Sequence, residues 1–204
     1  MRTRALFIEL LEVVALAAIL FLLIHVAIEP VTVSGPSMYP TVVNNNYLIA
    51  LKFPYYFHSP GRGDVVILKS PYDSNTDLIK RVIALPGETV LIKSGTVYIN
   101  GKVLCEPYLR PGVDGAWTVN ANWPADGQAF HLSSTQYFVM GDNRNVSEDS
   151  RIFGPVQRSA ILAEAWLRIY PFNSFGAVDP QRGRMTDSPD ASSAGCTTAL
   201  AGSP

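Results

Sequence analysis

The chain changes its hydrophobic rhythm once, near residue 30. Residues 5–28, ALFIELLEVVALAAILFLLIHVAI, form an almost unbroken apolar run. From residue 31 onward, short apolar and β-branched stretches alternate with turn residues: VTVS, YLIALK, DVVILKS, LIKRVIAL, ETVLIKS, TVYIN and YFVMGD. Stretches of this length and composition, bounded by Gly, Pro, Asn and Ser, predict strands. Pro86-Gly87, Ser94-Gly95 and Asn100-Gly101 mark turns between them. Asn100-Gly101 lies between Val97-Tyr98-Ile99 and Lys102-Val103-Leu104 and predicts a hairpin, because both turn residues accept the positive φ of a tight turn.

Three later segments depart from this rhythm. Residues 107–131 are rich in Pro, Gly, Asn and Asp and read as a loop-dominated insert, with one strand around residues 117–119. AILAEAWLRIY, residues 160–170, has a helical composition, yet Ile161, Ala163, Ala165, Leu167 and Ile169 alternate with the rest. The alternation, within an otherwise all-β chain, favours a strand. From residue 177 the chain is polar and small, too poor in apolar groups to bury a core.

A bilayer-spanning helix needs about 20 mostly apolar residues. Residues 5–28 are long enough, although Glu9, Glu12 and His25 lie among them. Glu9 and Glu12, three positions apart, share a helix face near the N-terminal boundary, within reach of headgroups. Arg2 and Arg4 precede the run and the next basic residue is Lys52, so the positive-inside bias puts the N-terminus in the cytoplasm and the rest outside. A cleaved secretory signal is the alternative. It needs small residues just before the cut, and His25-Val-Ala-Ile-Glu-Pro supplies only a poor Ala27 site. An uncleaved anchor is favoured.

The 204 residues carry 16 Lys+Arg against 17 Asp+Glu, a net charge of −1, which suits one anchored domain and leaves no basic footprint for nucleic acid. Hydrophobic residues make up 48% and charged residues only 16%, as in a membrane-associated or strand-rich protein. Cys105 and Cys196 are far apart and suggest neither a disulfide framework nor a metal site, and His25, His58 and His131 are isolated. No metal or cofactor is expected. Phe53-Pro-Tyr-Tyr-Phe57 is an aromatic run that either packs internally or rests on membrane lipid, where aromatic rings favour the interface.

Candidate chemistry begins at SGPSMYPT, residues 34–41, where Ser37 sits on a Pro- and Gly-stiffened turn directly after the apolar segment. A serine hydroxyl needs a base within hydrogen-bond reach to become nucleophilic. The histidines are poorly placed, and no G-x-S-x-G elbow is present. A lysine serves if burial holds it neutral. Lys80 lies in Leu78-Ile79-Lys80-Arg81-Val82-Ile83, and strand alternation puts it on one face with Leu78 and Val82. Such a lysine either snorkels to water or is buried for a purpose. A third segment, GDNRNVSEDSR at residues 141–151, follows the strand YFVM. It does not fit a calcium loop, because Ser147 stands where an EF-hand needs glycine. Its density of Asp, Arg and Ser suits buried ion pairs and a hydroxyl that orients a neighbouring base.

Together these segments resemble the type I signal peptidases, membrane-anchored serine proteases with a Ser–Lys dyad. The match runs from the anchor through SGPSMYPT, Arg62-Gly-Asp-Val-Val66, Lys80-Arg-Val-Ile-Ala-Leu-Pro-Gly-Glu88 and GDNRNVSEDSR, in the family's order. The resemblance implies a mainly β fold, a coiled antiparallel, barrel-like catalytic domain behind one transmembrane helix. The boundaries are 1–4 for the cytoplasmic N-terminus, 5–28 for the anchor, 29–176 for the extracytoplasmic catalytic domain with a smaller insert at 91–135, and 177–204 for a disordered tail.

By position, the resemblance makes Ser37 the nucleophile, Lys80 the general base and Ser147 the hydroxyl that orients it. Arg81 with Asp142, and Asp149 with Arg151, become structural ion pairs. Val31, Val33, Met38, Val42, Leu78 and Ile79 become the walls of small substrate pockets. The Ser37 N–H becomes an oxyanion donor, while Gly35 stands where some members carry a second donor serine. The implied substrates are signal peptides of exported preproteins, cut after small residues at −1 and −3 through an acyl-enzyme. The implied home is a bacterial cytoplasmic membrane, with lipid and the secretion translocon as further partners.

Three rivals remain on the residues alone. A self-cleaving repressor also uses Ser and Lys but has no anchor. An inactive peptide-binding protein would not need Ser37, Lys80 and Ser147 together. A structural envelope protein would have no reason to bury Lys80.

Overall fold

The computed structural model describes residues 2–109, 123–178 and 185–186. The apolar run forms helix α1, Arg2–Ala27. Within it Leu6–Ala27, 22 residues, is long and apolar enough to cross a membrane, and none of its most apolar stretch packs against the rest of the chain. The helix stops at Ala27, one residue short of the expected boundary. β-branched Ile28 opens strand β1, Ile28–Thr32, which pairs along its whole length with β2, Tyr47–Leu51. The expected strand VTVS is thus shifted toward the helix. At Ser34 the chain has already left the sheet for the turn that carries Ser37.

The remaining elements follow the predicted alternation. A one-turn helix α2, Pro54–Phe57, precedes β3, Val65–Lys69, and β4, Asp77–Ala84. Then come β5, Thr89–Lys93, β6, Thr96–Ile99, β7, Lys102–Leu104, β8, Ala129–His131, and β9, Gln136–Met140. Helix α3, Ser150–Phe153, leads to β10, Val156–Gln157, β11, Ile161–Tyr170, β12, Gly176–Ala177, and β13, Met185–Thr186. The ambiguous segment at 160–170 is a strand. Its Ala, Glu and Leu lose to position, because β11 lies between β2 and β3 and fills both.

Two antiparallel sheets result. The larger runs β1-β2-β11-β3-β4-β9-β10, with β12 added beside β11. The smaller runs β13-β7-β6-β5-β8. Asn100-Gly101 closes β6 onto β7 as its sequence requires, both residues at positive φ, 52° and 81°. β1 and β4 stand four places apart in the larger sheet, yet they line one cleft, so this sheet curls back on itself.

Three findings correct sequence expectations. The insert holds β8, whose Ala129-Phe130-His131 was read as loop; the strand expected at 117–119 lies outside the described residues. The tail does not begin at 177. Ala177 pairs with Leu167, Val178 is buried in a core cluster and donates its N–H to the Trp166 carbonyl, and Met185–Thr186 adds an edge to β7. Cys105, just after β7, is disulfide-bonded, against the expectation of no bridge. Cys196 lies outside the described residues.

Candidate active site

SGPSMYPT folds into a turn held from several sides. The Gly35 N–H donates to Asn44 Oδ1 at 2.9 Å, the Tyr39 N–H to the Pro36 carbonyl at 3.0 Å, and the Val42 N–H to the Met38 carbonyl at 3.0 Å. Gly35 has φ +94°, a left-handed conformation that strains any L side chain, so the turn itself explains glycine here. Met38 and Val42 are fully buried in the cluster that also holds Val33 and Ile79. They root the turn in the core, so Ser37 sits on a fixed base.

Lys80 reaches this turn from β4. It is almost entirely buried, with its Nζ donating to Ser37 Oγ at 3.1 Å and to the Ile79 carbonyl at 3.0 Å. Desolvation lowers its pKa from 10.5 to about 8, opposed chiefly by the Asp149 and Glu148 carboxylates, which favour the charged form. The residue does not snorkel. It meets a serine hydroxyl in a site where its neutral form is within reach at mild pH.

The loop after β9 supports both groups. Arg81 forms a buried fork with Asp142, Nε to Oδ1 at 2.8 Å and Nη2 to Oδ2 at 2.7 Å, and Thr41 Oγ1 donates to the same Asp142 Oδ2 at 2.6 Å. Asp149 and Arg151 form a second buried fork at 2.7 Å on each arm. Asp149 also accepts the Gly141 N–H at 2.9 Å. Between the forks, Asn143 grips the Ser37 turn: its N–H donates to the Ser37 carbonyl at 3.0 Å and its Nδ2 to the Pro36 carbonyl at 3.2 Å. Asn143, Thr41 and Gly141 were not singled out from sequence. The signal was GDN directly after a core strand, but its partner turn is a hundred positions away.

Gly141 marks the tightest approach. A Cβ there would stand 2.5 Å from the Ser37 carbonyl oxygen and 2.2 Å from Ser147 Oγ. Ser147 is therefore packed beside the Ser37 turn. Its hydroxyl is buried and, among the described residues, has no hydrogen-bond partner. The expected bond to Lys80 is not formed in this arrangement.

A cleft of about 120 Å³ opens beside the pair, lined by Val31, Val33 and Ser34 on one side and by Leu78, Ile79 and Lys80 on the other. That is well below the ~300 Å³ of a pocket for a drug-sized ligand and suits small side chains. Ile67 also lines it and was not anticipated, whereas Met38 and Val42 do not line it and lie buried in the core. The cleft has open backbone edges. β1 is the first strand of its sheet. β3 pairs with β4 from Asp77 to Arg81, but β9 pairs with it only from Arg81 to Ala84. Asp77–Lys80 thus has one edge without a strand among the described residues. No group of side chains able to hold a metal ion occurs among the described residues.

Comparison with known proteins identifies the family. The family described as signal peptidase, peptidase S26, matches residues 7–170. The chain is 36% identical to a signal peptidase I of Bacillus licheniformis over 173 residues, covering 84% of this chain and 92% of that one. It is 38% identical to signal peptidase I T of Bacillus subtilis, covering 79% and 84% of the two chains. A solved signal peptidase I from Enterococcus faecalis is 35% identical, covers 52% of this chain and 97% of its own, and superposes with a TM-score of 0.42.

Proposed function

The chain belongs to the signal peptidase, peptidase S26, family, and we propose that it cleaves signal peptides with Ser37 as nucleophile and Lys80 as general base. It is a serine endopeptidase, and its apolar N-terminal helix fits a membrane-anchored protein. The observation that carries the dyad is the 3.1 Å approach of buried Lys80 Nζ to Ser37 Oγ.

The preprotein enters as an added strand between β1 and the open edge of Asp77–Lys80. Small side chains at −1 and −3 seat against Val31, Val33, Leu78 and Ile79. Neutral Lys80 takes the hydroxyl proton as Ser37 Oγ attacks the carbonyl at −1. The Ser37 N–H, which no acceptor takes among the described residues, donates to the oxyanion. Collapse of the tetrahedral species expels the new N-terminal amine, protonated by Lys80, and leaves an ester on Ser37. Lys80 then draws a proton from water, which attacks the ester and frees the signal peptide and the hydroxyl. Ser147, whose buried hydroxyl has no partner among the described residues, accepts an N–H from Lys80 while the ammonium exists. Arg81–Asp142 and Asp149–Arg151 keep the supporting loop rigid.

The helix enters with its N-terminus in the cytoplasm, and the β-domain stands outside a bacterial cytoplasmic membrane, where exported preproteins and the translocon meet it. The test is cleavage of a preprotein with an Ala-x-Ala site by the detergent-solubilised full chain, with mass spectrometry of Ser37 after rapid acid quench. Cleavage after the −1 alanine, lost when that alanine becomes leucine, with an acyl group on Ser37, supports the assignment. Cleavage elsewhere, or indifference to the leucine, rejects the specificity.

A further inference from the structure

Residues just past β7 reach into the supporting loop from outside the family boxes. Glu106 and Tyr108 are both buried. Glu106 grips Arg144 with both oxygens, Oε2 accepting from Nη1 at 3.0 Å and Oε1 from Nη2. The Tyr108 hydroxyl donates to Glu106 Oε1 at 2.7 Å. Its ring lies under the Arg81 guanidinium, 4.1 Å from the centroid. Arg144 then turns back on its own loop, with Nε donating to the Gly141 carbonyl at 3.1 Å. The Arg144 carbonyl accepts from Arg151 Nη1 at 2.8 Å.

The geometry points to Glu106 and Tyr108 as positioning residues that act on Ser37 through Arg144 and the Gly141–Asn143 backbone. This inference rests on the dyad proposed above. The path is continuous. Glu106 fixes the guanidinium plane, the guanidinium fixes the Gly141 carbonyl, and two residues later the Asn143 N–H fixes the Ser37 carbonyl. Tyr108 joins the path to the second arginine, so one aromatic ring braces Arg81 and orients the carboxylate that orients Arg144. Neither Glu106 nor Tyr108 lines the substrate cleft. Their loss therefore displaces the nucleophile and leaves the peptide pockets in place, an effect on turnover more than on binding. A misplacement of reacting groups by about 1 Å costs on the order of 10²-fold in rate.

The alternative is plain structural support, and a paired replacement separates the two. A buried ion pair replaced on both sides by apolar residues of similar volume commonly keeps or regains stability. In the double variant Glu106→Leu, Arg144→Met, a structural role predicts recovery of both stability and turnover. The positioning role predicts recovered stability with turnover still low, because the bond to the Gly141 carbonyl is gone.

The experiment is steady-state cleavage of an Ala-x-Ala preprotein by the full chain in detergent, beside thermal melts. Compared are wild type, Glu106→Gln, Tyr108→Phe and the double variant. The expected result is a kcat reduced about 10–100-fold in Glu106→Gln and the double variant, with KM within about twofold and an unshifted pH midpoint. Tyr108→Phe, which keeps the ring over Arg81, shows a smaller loss in the same direction and carries the test if Glu106→Gln does not fold. Unchanged kcat in the folded variants, a loss confined to KM, or full recovery in the double variant overturns the inference. Inactive wild type would instead overturn the dyad's function.

Discussion

Lys80 Nζ lies 3.1 Å from Ser37 Oγ, though 43 positions separate the two residues in the chain. One sits on a turn rooted by Met38 and Val42, the other in the middle of a strand paired with β3. Neither can move without its support moving, and in the proposed dyad the protonation of this one lysine would control the reaction.

Cleavage should therefore follow the titration of Lys80, whose pKa burial lowers to about 8. Below that value the ammonium cannot accept the Ser37 proton, and kcat/KM falls tenfold per pH unit. Above it the rate levels off. A pH–rate profile on the free enzyme reads this directly.

The same lysine costs stability. The drop from 10.5 to about 8 corresponds to about 3 kcal/mol at roughly 1.36 kcal/mol per unit. Because the folded state holds this proton less tightly than the unfolded chain, the cost is complete below pH 8 and disappears as pH rises toward 10.5. Lys80→Met should abolish cleavage yet raise unfolding free energy by up to about 3 kcal/mol at neutral pH. That gain should shrink in denaturation curves taken between the two pKa values.

Gly141→Ala tests the closeness of the supporting loop. The new methyl would stand 2.5 Å from the Ser37 carbonyl oxygen, which is backbone and cannot swing aside. Overpacking of this kind costs about 1–3 kcal/mol. The expected outcome is a folded protein with a modestly lower Tm and a kcat reduced at least about 10²-fold, as displacement of a nucleophile implies.

Membrane contact has its own test. Phe53, Tyr56 and Phe57 are exposed, and Phe53 packs against Phe57 with the rings tilted by 55° and centroids 4.9 Å apart. The Lys52 N–H donates to the Ala27 carbonyl at 2.9 Å, so the patch starts where the anchor ends. Tyr55 points inward instead, bonded to Asp64 Oδ2 at 3.1 Å. Replacing Phe53, Tyr56 and Phe57 with serine should weaken flotation of residues 29–204 with anionic liposomes, whereas Tyr55→Phe should leave it unchanged.

Much of this was legible in the sequence for a physical reason. Strand β4 reads Leu-Ile-Lys-Arg-Val-Ile, and a lysine and an arginine inside such a run require partners. SGPSMYPT and GDNRNVSEDSR supplied them in kind. What could not be read was which atoms meet. Period-2 alternation placed Lys80 on a face, but the curl of the sheet brought that face to Ser37. Met38 and Val42 were assigned as pocket walls by position in the resemblance, whereas here the turn directs both into the core. Glu106 and Tyr108 gave no signal, since Cys-Glu-Pro-Tyr reads as loop until Arg144 is seen beside it. The bridge at Cys105 was missed because two distant cysteines carry no spacing pattern.

The central claim is that Lys80 is the base for Ser37. Its most direct test is kcat/KM for one Ala-x-Ala preprotein with wild type, Ser37→Ala and Lys80→Ala, across pH and with folding checked for each. The expected result is cleavage by wild type alone, with neither variant active at any pH. Cleavage that survives Lys80→Ala, in a folded protein that Ser37→Ala still inactivates, would leave the nucleophile standing and show that another group takes its proton.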